Sequence, residues 1–186
     1  MTSPIIVALD LEHDLALGLA KSLDPNNCRL KVGSQLFTSV GPSVIEELSA
    51  LGFDIFLDLK FHDIPNTVAQ SVKAAANLGV WMINVHTSGG SSMMRAAKEA
   101  TTGLMDPPLI IGVTMLTSLS EKDVNELGIQ DISNQVVSLA SLAKKNSLDG
   151  IVCSANDVRG IKELLGKDFV TVTPGIRSSN SSKDDQ

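Results

Sequence analysis

Apolar and polar positions alternate along this chain in two rhythms. Short, nearly continuous apolar runs are separated by longer stretches with a helical period. Ile5–Leu9 opens as a strand and is followed by a helix over Leu11–Leu23. Arg29–Val32 predicts a second strand, followed by a helix over Pro42–Leu51 that Gly52 ends as a C′ glycine does. Asp54–Lys60 predicts the third strand, then a helix over Asn66–Leu78 closed by Gly79. In that helix Val68, Val72, Ala75 and Ala76 share one face. Val80–His86 predicts the fourth strand and Ser91–Thr101 the helix after it; Leu109–Leu116 predicts the fifth strand. A longer helical region covers Val124–Leu127 and Asn134–Lys145. Asp149–Cys153, a helix over Asn156–Leu165 and Phe169–Thr173 complete the series.

Runs this apolar suit strands covered on both faces, and strict strand–helix alternation implies a parallel sheet. Seven strands fit either an open doubly wound sheet or an eight-stranded barrel lacking its last strand. The final stretch, Ser178–Gln186, contains no apolar residue. A full barrel needs about 250 residues, with a lower limit near 200; this sequence has 186. One domain over residues 1–186 is expected, with no linker, repeat or second domain.

Composition narrows the function. Hydrophobic residues make up 43%, aromatics only 3%, and tyrosine is absent, so the core is aliphatic. A net charge of −6 without a basic run disfavours nucleic-acid and membrane partners. An anionic ligand then needs a local positive pocket. The apolar run after Met1 has no basic leader and ends at Asp10, and nothing approaches a membrane span, so the cytoplasm is the expected compartment. Cys28 and Cys153 have neither disulfide nor metal-ligand spacing and read as small buried thiols.

The chemistry is concentrated in Phe56-Leu57-Asp58-Leu59-Lys60-Phe61-His62-Asp63-Ile64-Pro65-Asn66-Thr67. On a strand Asp58 and Lys60 face one side, Leu57 and Leu59 the other. Two charges therefore emerge together at the C-terminal end of a buried strand, where parallel α/β folds carry their sites. Asp63 follows in the loop, and Pro65 suits a first helical turn. A lone Asp–Lys pair could be a plain surface ion pair. Three charges at a buried strand end are harder to explain that way, because burying ions costs several kcal/mol each unless they satisfy one another. Asp10 and Lys31 end or interrupt other apolar strands, and in a barrel all of these ends converge.

The run Asp58-x-Lys60-x-x-Asp63-Ile64-Pro65-Asn66-Thr67 resembles the signature of orotidine 5′-phosphate decarboxylases. Val7-Ala8-Leu9-Asp10, Leu30-Lys31-Val32-Gly33, Asn84-Val85-His86, Leu116-Thr117-Ser118 and Val172-Thr173-Pro174-Gly175-Ile176-Arg177 follow in that family's order and spacing. The resemblance spans essentially the whole chain and is nearest to bacterial members, with which Leu78-Gly79-Val80-Trp81-Met82 also agrees. It implies a TIM (β/α)8 barrel, represented here by about seven βα units. It also implies a cofactor-free, metal-free decarboxylation of orotidine 5′-phosphate to uridine 5′-phosphate in pyrimidine synthesis.

By that resemblance Lys60 protonates the pyrimidine carbon, Asp58 sits near the substrate carboxylate, and Lys31 completes the charge network and contacts the ribose. Asp10 binds the ribose. Asp63 and Thr67 reach the ribose from the partner subunit of a homodimer with shared sites, and Ile64, Pro65 and Asn66 belong to the same binding segment. Thr117 lies near the base. Arg177 and Gln186 grip the phosphate beside the Pro174-Gly175 backbone. Family members continue past Gln186 with an eighth strand and a phosphate-binding Gly-Arg pair, so the chain is expected to be C-terminally incomplete.

The remaining polar features carry less. His86 ends an apolar strand and reads equally as pocket wall or hydrogen-bonded core histidine. His62 should point away from Lys60 and Asp63 and is given no role. Gly89-Gly90 reads as a turn, and the Asn-Ser-Ser at 180–182 as a chance match to a glycosylation pattern. Two competing functions remain. One is a magnesium-dependent barrel enzyme of sugar phosphates with the same Asp-x-Lys-x-x-Asp spacing. The other is a non-catalytic remnant that binds pyrimidine nucleotide or a full-length partner subunit.

Overall fold

The structure, a computed structural model, describes residues 3–176. Seven parallel strands form one sheet: β1 (Ile6–Ala8), β2 (Arg29–Gly33), β3 (Ile55–Phe61), β4 (Met82–His86), β5 (Leu109–Val113), β6 (Gly150–Val152) and β7 (Val170–Val172). Their order in the sheet is their order in the chain. A doubly wound sheet reverses its strand order at a switch point; this one never does, as in a barrel wall.

Among the described residues eight α-helices connect or flank the strands: α1 (His13–Ser22), α2 (Ser34–Val40), α3 (Ser43–Ala50), α4 (Pro65–Ala76), α5 (Gly90–Glu99), α6 (Glu121–Glu126), α7 (Ile132–Lys145) and α8 (Val158–Leu165). Helices α2, α3, α4, α5 and α7 pack directly on the sheet. Val68, Val72 and Ala75 of α4 are buried, as are Met93, Met94 and Ala97 of α5. Pro65 occupies the first turn of α4, where its missing N–H forfeits no helical bond. Gly52 follows α3 at φ 91°, a left-handed stop that a Cβ would strain.

Two apolar layers follow from strand alternation. The outer one lies between sheet and helices and includes Leu30, Val32, Ile55, Leu57, Ile83, Val85 and Ile151. Each such side chain contributes about 1.5–3 kcal/mol when fully buried. The inner layer, on the concave side, is small: Phe56, Met82 and Ile111, flanked by Ile6, Trp81, Leu109, Val152, Val170 and Val172.

Most element ends shift by one to three residues, and two differences bear on the fold. The helix expected at Pro42–Leu51 is Ser43–Ala50, and it is preceded by α2, which starts directly after β2. The fifth strand ends at Val113 instead of Leu116; beyond it the chain leaves the sheet and lines a cavity.

Candidate active site

Strand register places the charges. Lys31 of β2 lies opposite Ala8 of β1 and Phe56 of β3, and Gly33 lies opposite Asp58. The ends of β1, β2 and β3 thus gather Asp10, Lys31, Asp58 and Lys60 on the concave side. Lys31 Nζ is 2.8 Å from Asp10 Oδ1 and 3.5 Å from Asp58 Oδ2. Lys60 Nζ is 2.7 Å from Asp58 Oδ1. The four form a row of alternating sign. Gly33 leaves room for it, since a Cβ there would stand 3.0 Å from Asp10 Oδ1 and 3.3 Å from Lys31 Nζ.

Asp58 is the most enclosed of the four, at 7% exposure. Burial works to raise its pKa. The Lys60 hydrogen bond and charge, the Asn84 hydrogen bond and the Lys31 charge outweigh it, and the carboxyl titrates below its ordinary value. Asp58 is therefore an anion at neutral pH, held between two cations.

The row borders a cavity of about 580 Å³. Ile6, Lys31, Phe56, Asp58, Lys60, Asn84, Val113, Val152 and Val172 bring every strand to its wall, which requires the sheet to curl around it. Met115, Leu116, Thr117 and Ser118 form one side, and Thr173, Pro174, Gly175 and Ile176 another. Such a site offers a row of charges beside walls that are largely apolar, with Asn84, Thr117, Ser118 and Thr173 as further polar groups. It suits a small ligand with both polar and apolar surface.

The structure brings about half of the residues expected from sequence to this cavity. Lys31, Asp58, Lys60, Thr117, Pro174 and Gly175 line the cavity; Asp10 joins through Lys31. Asp63, Ile64, Pro65, Asn66 and Thr67 do not line it. They are exposed at the start of α4, and the Asp63 carboxylate accepts from the Ile64 N–H at 2.6 Å. Arg177 and Gln186 lie outside the described residues.

Three features differ from expectation or went unassigned. Lys60 has φ 52°, a left-handed backbone rare outside glycine. Asn84, buried at 1% exposure, bonds both to Asp58 and to the Lys60 backbone. A lone carboxamide in the apolar run Met82–His86 was the available signal. His62, given no role, brings its ring to 5.3 Å from that of His86. Burial chiefly, then the His62 and Lys60 charges, lower the His86 pKa against the pull of Asp58, so His86 is neutral at pH 7. His86 is not among the cavity-lining residues, which favours a packing role.

The model of the family described as "Orotidine 5'-phosphate decarboxylase / HUMPS family" matches residues 3–186. The orotidine 5′-phosphate decarboxylase of Saccharophagus degradans is 54% identical over 184 residues, covering 98% of this chain and 77% of that protein. That of Chromobacterium violaceum is 55% identical over 187 residues, covering all of this chain and 76% of the relative. Among solved structures, orotidine 5′-phosphate decarboxylase from Lactobacillus acidophilus superposes with a TM-score of 0.86 at 43% identity, covering 94% of this chain and 82% of that one. The Methanocaldococcus jannaschii orotidine 5′-monophosphate decarboxylase complexed with the inhibitor BMP gives 0.80 at 25% identity, over 100% and 83%.

Proposed function

This chain belongs to the orotidine 5′-phosphate decarboxylase / HUMPS family, and on that premise we infer that it converts orotidine 5′-phosphate to uridine 5′-phosphate and carbon dioxide in pyrimidine biosynthesis. The observation that carries the reading to the atoms is the row Asp10–Lys31–Asp58–Lys60 beside the cavity that every strand lines.

The chemistry asks for little more. The bond between C6 of the pyrimidine and the carboxyl carbon breaks, carbon dioxide leaves, and the electron pair stays on C6. A cation fixed beside C6 stabilises that charge without reorganising during the reaction. Lys60 Nζ is that cation and then gives C6 its proton. Asp58 orients Lys60 and faces the substrate carboxylate. At about 4 Å and an effective dielectric of about 20, their repulsion is about 4 kcal/mol. Enzymes lower barriers by about 8–23 kcal/mol, so repulsion is a minor share and the preorganised lysine the larger one.

Contacts remote from C6 supply further binding energy. Lys31 and Asp10 take the ribose hydroxyls. Thr117 stands by the base. The phosphate lies by the Pro174–Gly175 backbone, with Arg177 and Gln186 assigned to it. The protein works as a homodimer: Asp63 and Thr67, exposed at the start of α4 beside an Ile64 at 66% exposure, reach the partner's ribose site, and Ile64, Pro65 and Asn66 complete that edge. A cytoplasmic setting matches a phosphorylated substrate that does not cross membranes unaided.

The sugar-phosphate reading needs a free acidic group for magnesium, whereas Asp10 and Asp58 both face lysines. The test is release of carbon dioxide from orotidine 5′-phosphate with excess chelator present. Undiminished turnover is expected; turnover lost to the chelator would favour the magnesium-dependent alternative.

A further inference from the structure

We propose that Asn84 is the positioning residue of the Asp58–Lys60 pair, its one carboxamide setting the Asp58 carboxylate and the Lys60 backbone together. What the pair does rests on the decarboxylase reading; how it is held does not.

The polarity of Asn84 has no value to the core. It sits at 1% exposure on β4 between Ile83 and Val85, both at 0%. A buried amide costs free energy unless its hydrogen bonds are made. Both of its ends are used. Nδ2 donates to Asp58 Oδ1 at 2.6 Å, and Oδ1 accepts from the Lys60 N–H at 2.8 Å. A carboxamide is the short side chain that offers a donor and an acceptor in fixed relation. Aspartate keeps only the acceptor at neutral pH, and leucine keeps neither.

The backbone explains why such a brace is needed. Leu57 pairs with Ile83 and Phe61 with Val85, so four steps along β3 meet two along β4. Lys60 falls inside that irregularity, at φ 52°. A left-handed non-glycine residue is strained and persists only when its surroundings over-determine it. In the interrupted ladder the Asn84 oxygen takes the Lys60 N–H. The same amide bonds the carboxylate oxygen that Lys60 Nζ also bonds. Backbone, carboxylate and ammonium are therefore fixed relative to one another through one side chain. A purely structural asparagine would brace the ladder with no effect on Asp58.

The experiment compares Asn84→Ala and Asn84→Asp with the wild-type chain, each first shown folded by circular dichroism. Asp58 is titrated by carboxyl-carbon NMR, and kcat and KM are measured with orotidine 5′-phosphate. In Asn84→Ala, Asp58 should titrate at higher pH than in wild type. Its kcat should fall about 10- to 100-fold, as for a reacting group displaced by about 1 Å, with KM moving less than about threefold. Asn84→Asp should be as poor at neutral pH and recover as pH falls, because a protonated carboxyl again donates to Asp58. Folded variants with an unmoved Asp58 titration and kcat within about twofold of wild type would overturn the proposal. A wild-type chain without turnover would count against the decarboxylase reading alone, and the Asp58 titration would then decide the role of Asn84.

Discussion

Asp58 and Lys60 lie two residues apart on one strand, yet their charged atoms meet at 2.7 Å, because both side chains turn to the concave face and Lys60 adopts a left-handed backbone. The aspartate has Lys31 on its other side. An anion enclosed by two cations in a low-exposure site has consequences for stability as well as for chemistry.

The first concerns acid. The Asp58 pKa is lower in the folded protein than its ordinary 3.8. A carboxyl of this kind contributes stability that is fully present above the unfolded pKa and is lost as pH falls through the folded one. Asp58→Asn should therefore unfold in urea with a midpoint less sensitive to pH than wild type between about pH 5 and pH 3. At neutral pH it should be less stable by about 1.5–3 kcal/mol, the range for a hydrogen bond to a charged group. Parallel acid profiles for the two proteins would contradict the arrangement.

Gly33 tests the other end of the row. Its φ of −90° is open to alanine, so any effect of Gly33→Ala comes from the added methyl against Asp10 and Lys31. Separating that pair should raise KM for orotidine 5′-phosphate by about 3- to 10-fold with kcat little changed, the pattern of lost uniform binding. Thermal stability should change by less than about 1 kcal/mol. An unchanged KM would remove Asp10 and Lys31 from ribose binding.

Cys153 should be inert in the folded protein. It is 1% exposed, and its thiol is pushed up to about 11 by burial first, with Asp157 adding and Lys162 opposing. Cys28 is also buried and raised. Thiolate is the reactive form. A thiol-specific disulfide reagent should label neither cysteine natively at mild alkaline pH and both of the chain's 2 cysteines after denaturation. Rapid native labelling of either would contradict the packing.

Much of this was legible in the sequence because both signals were local. Continuous apolar runs between amphipathic stretches gave all seven strands, and period-two alternation put Asp58 and Lys60 on one face. What escaped depended on contacts distant in sequence. The α2 helix begins directly after Gly33, with no intervening loop to announce it. The fifth strand reads longer because Met115 and Leu116 are apolar enough to extend it, but they serve a cavity wall. The Lys60 backbone and the role of Asn84 come from the register between β3 and β4, which no single segment encodes. Strand order decided between barrel wall and doubly wound sheet, and that too is a property of the assembled sheet.

The most direct test of the account is the loss of orotidine 5′-phosphate absorbance catalysed by the 186-residue chain beside its Lys60→Ala variant. Removing the cation and proton donor together should lower turnover by at least about 10³-fold, the scale of one preorganised charge or one general acid. Wild-type turnover that collapses in Lys60→Ala is the predicted result. Equal rates in the two proteins, or no turnover in either, would contradict it.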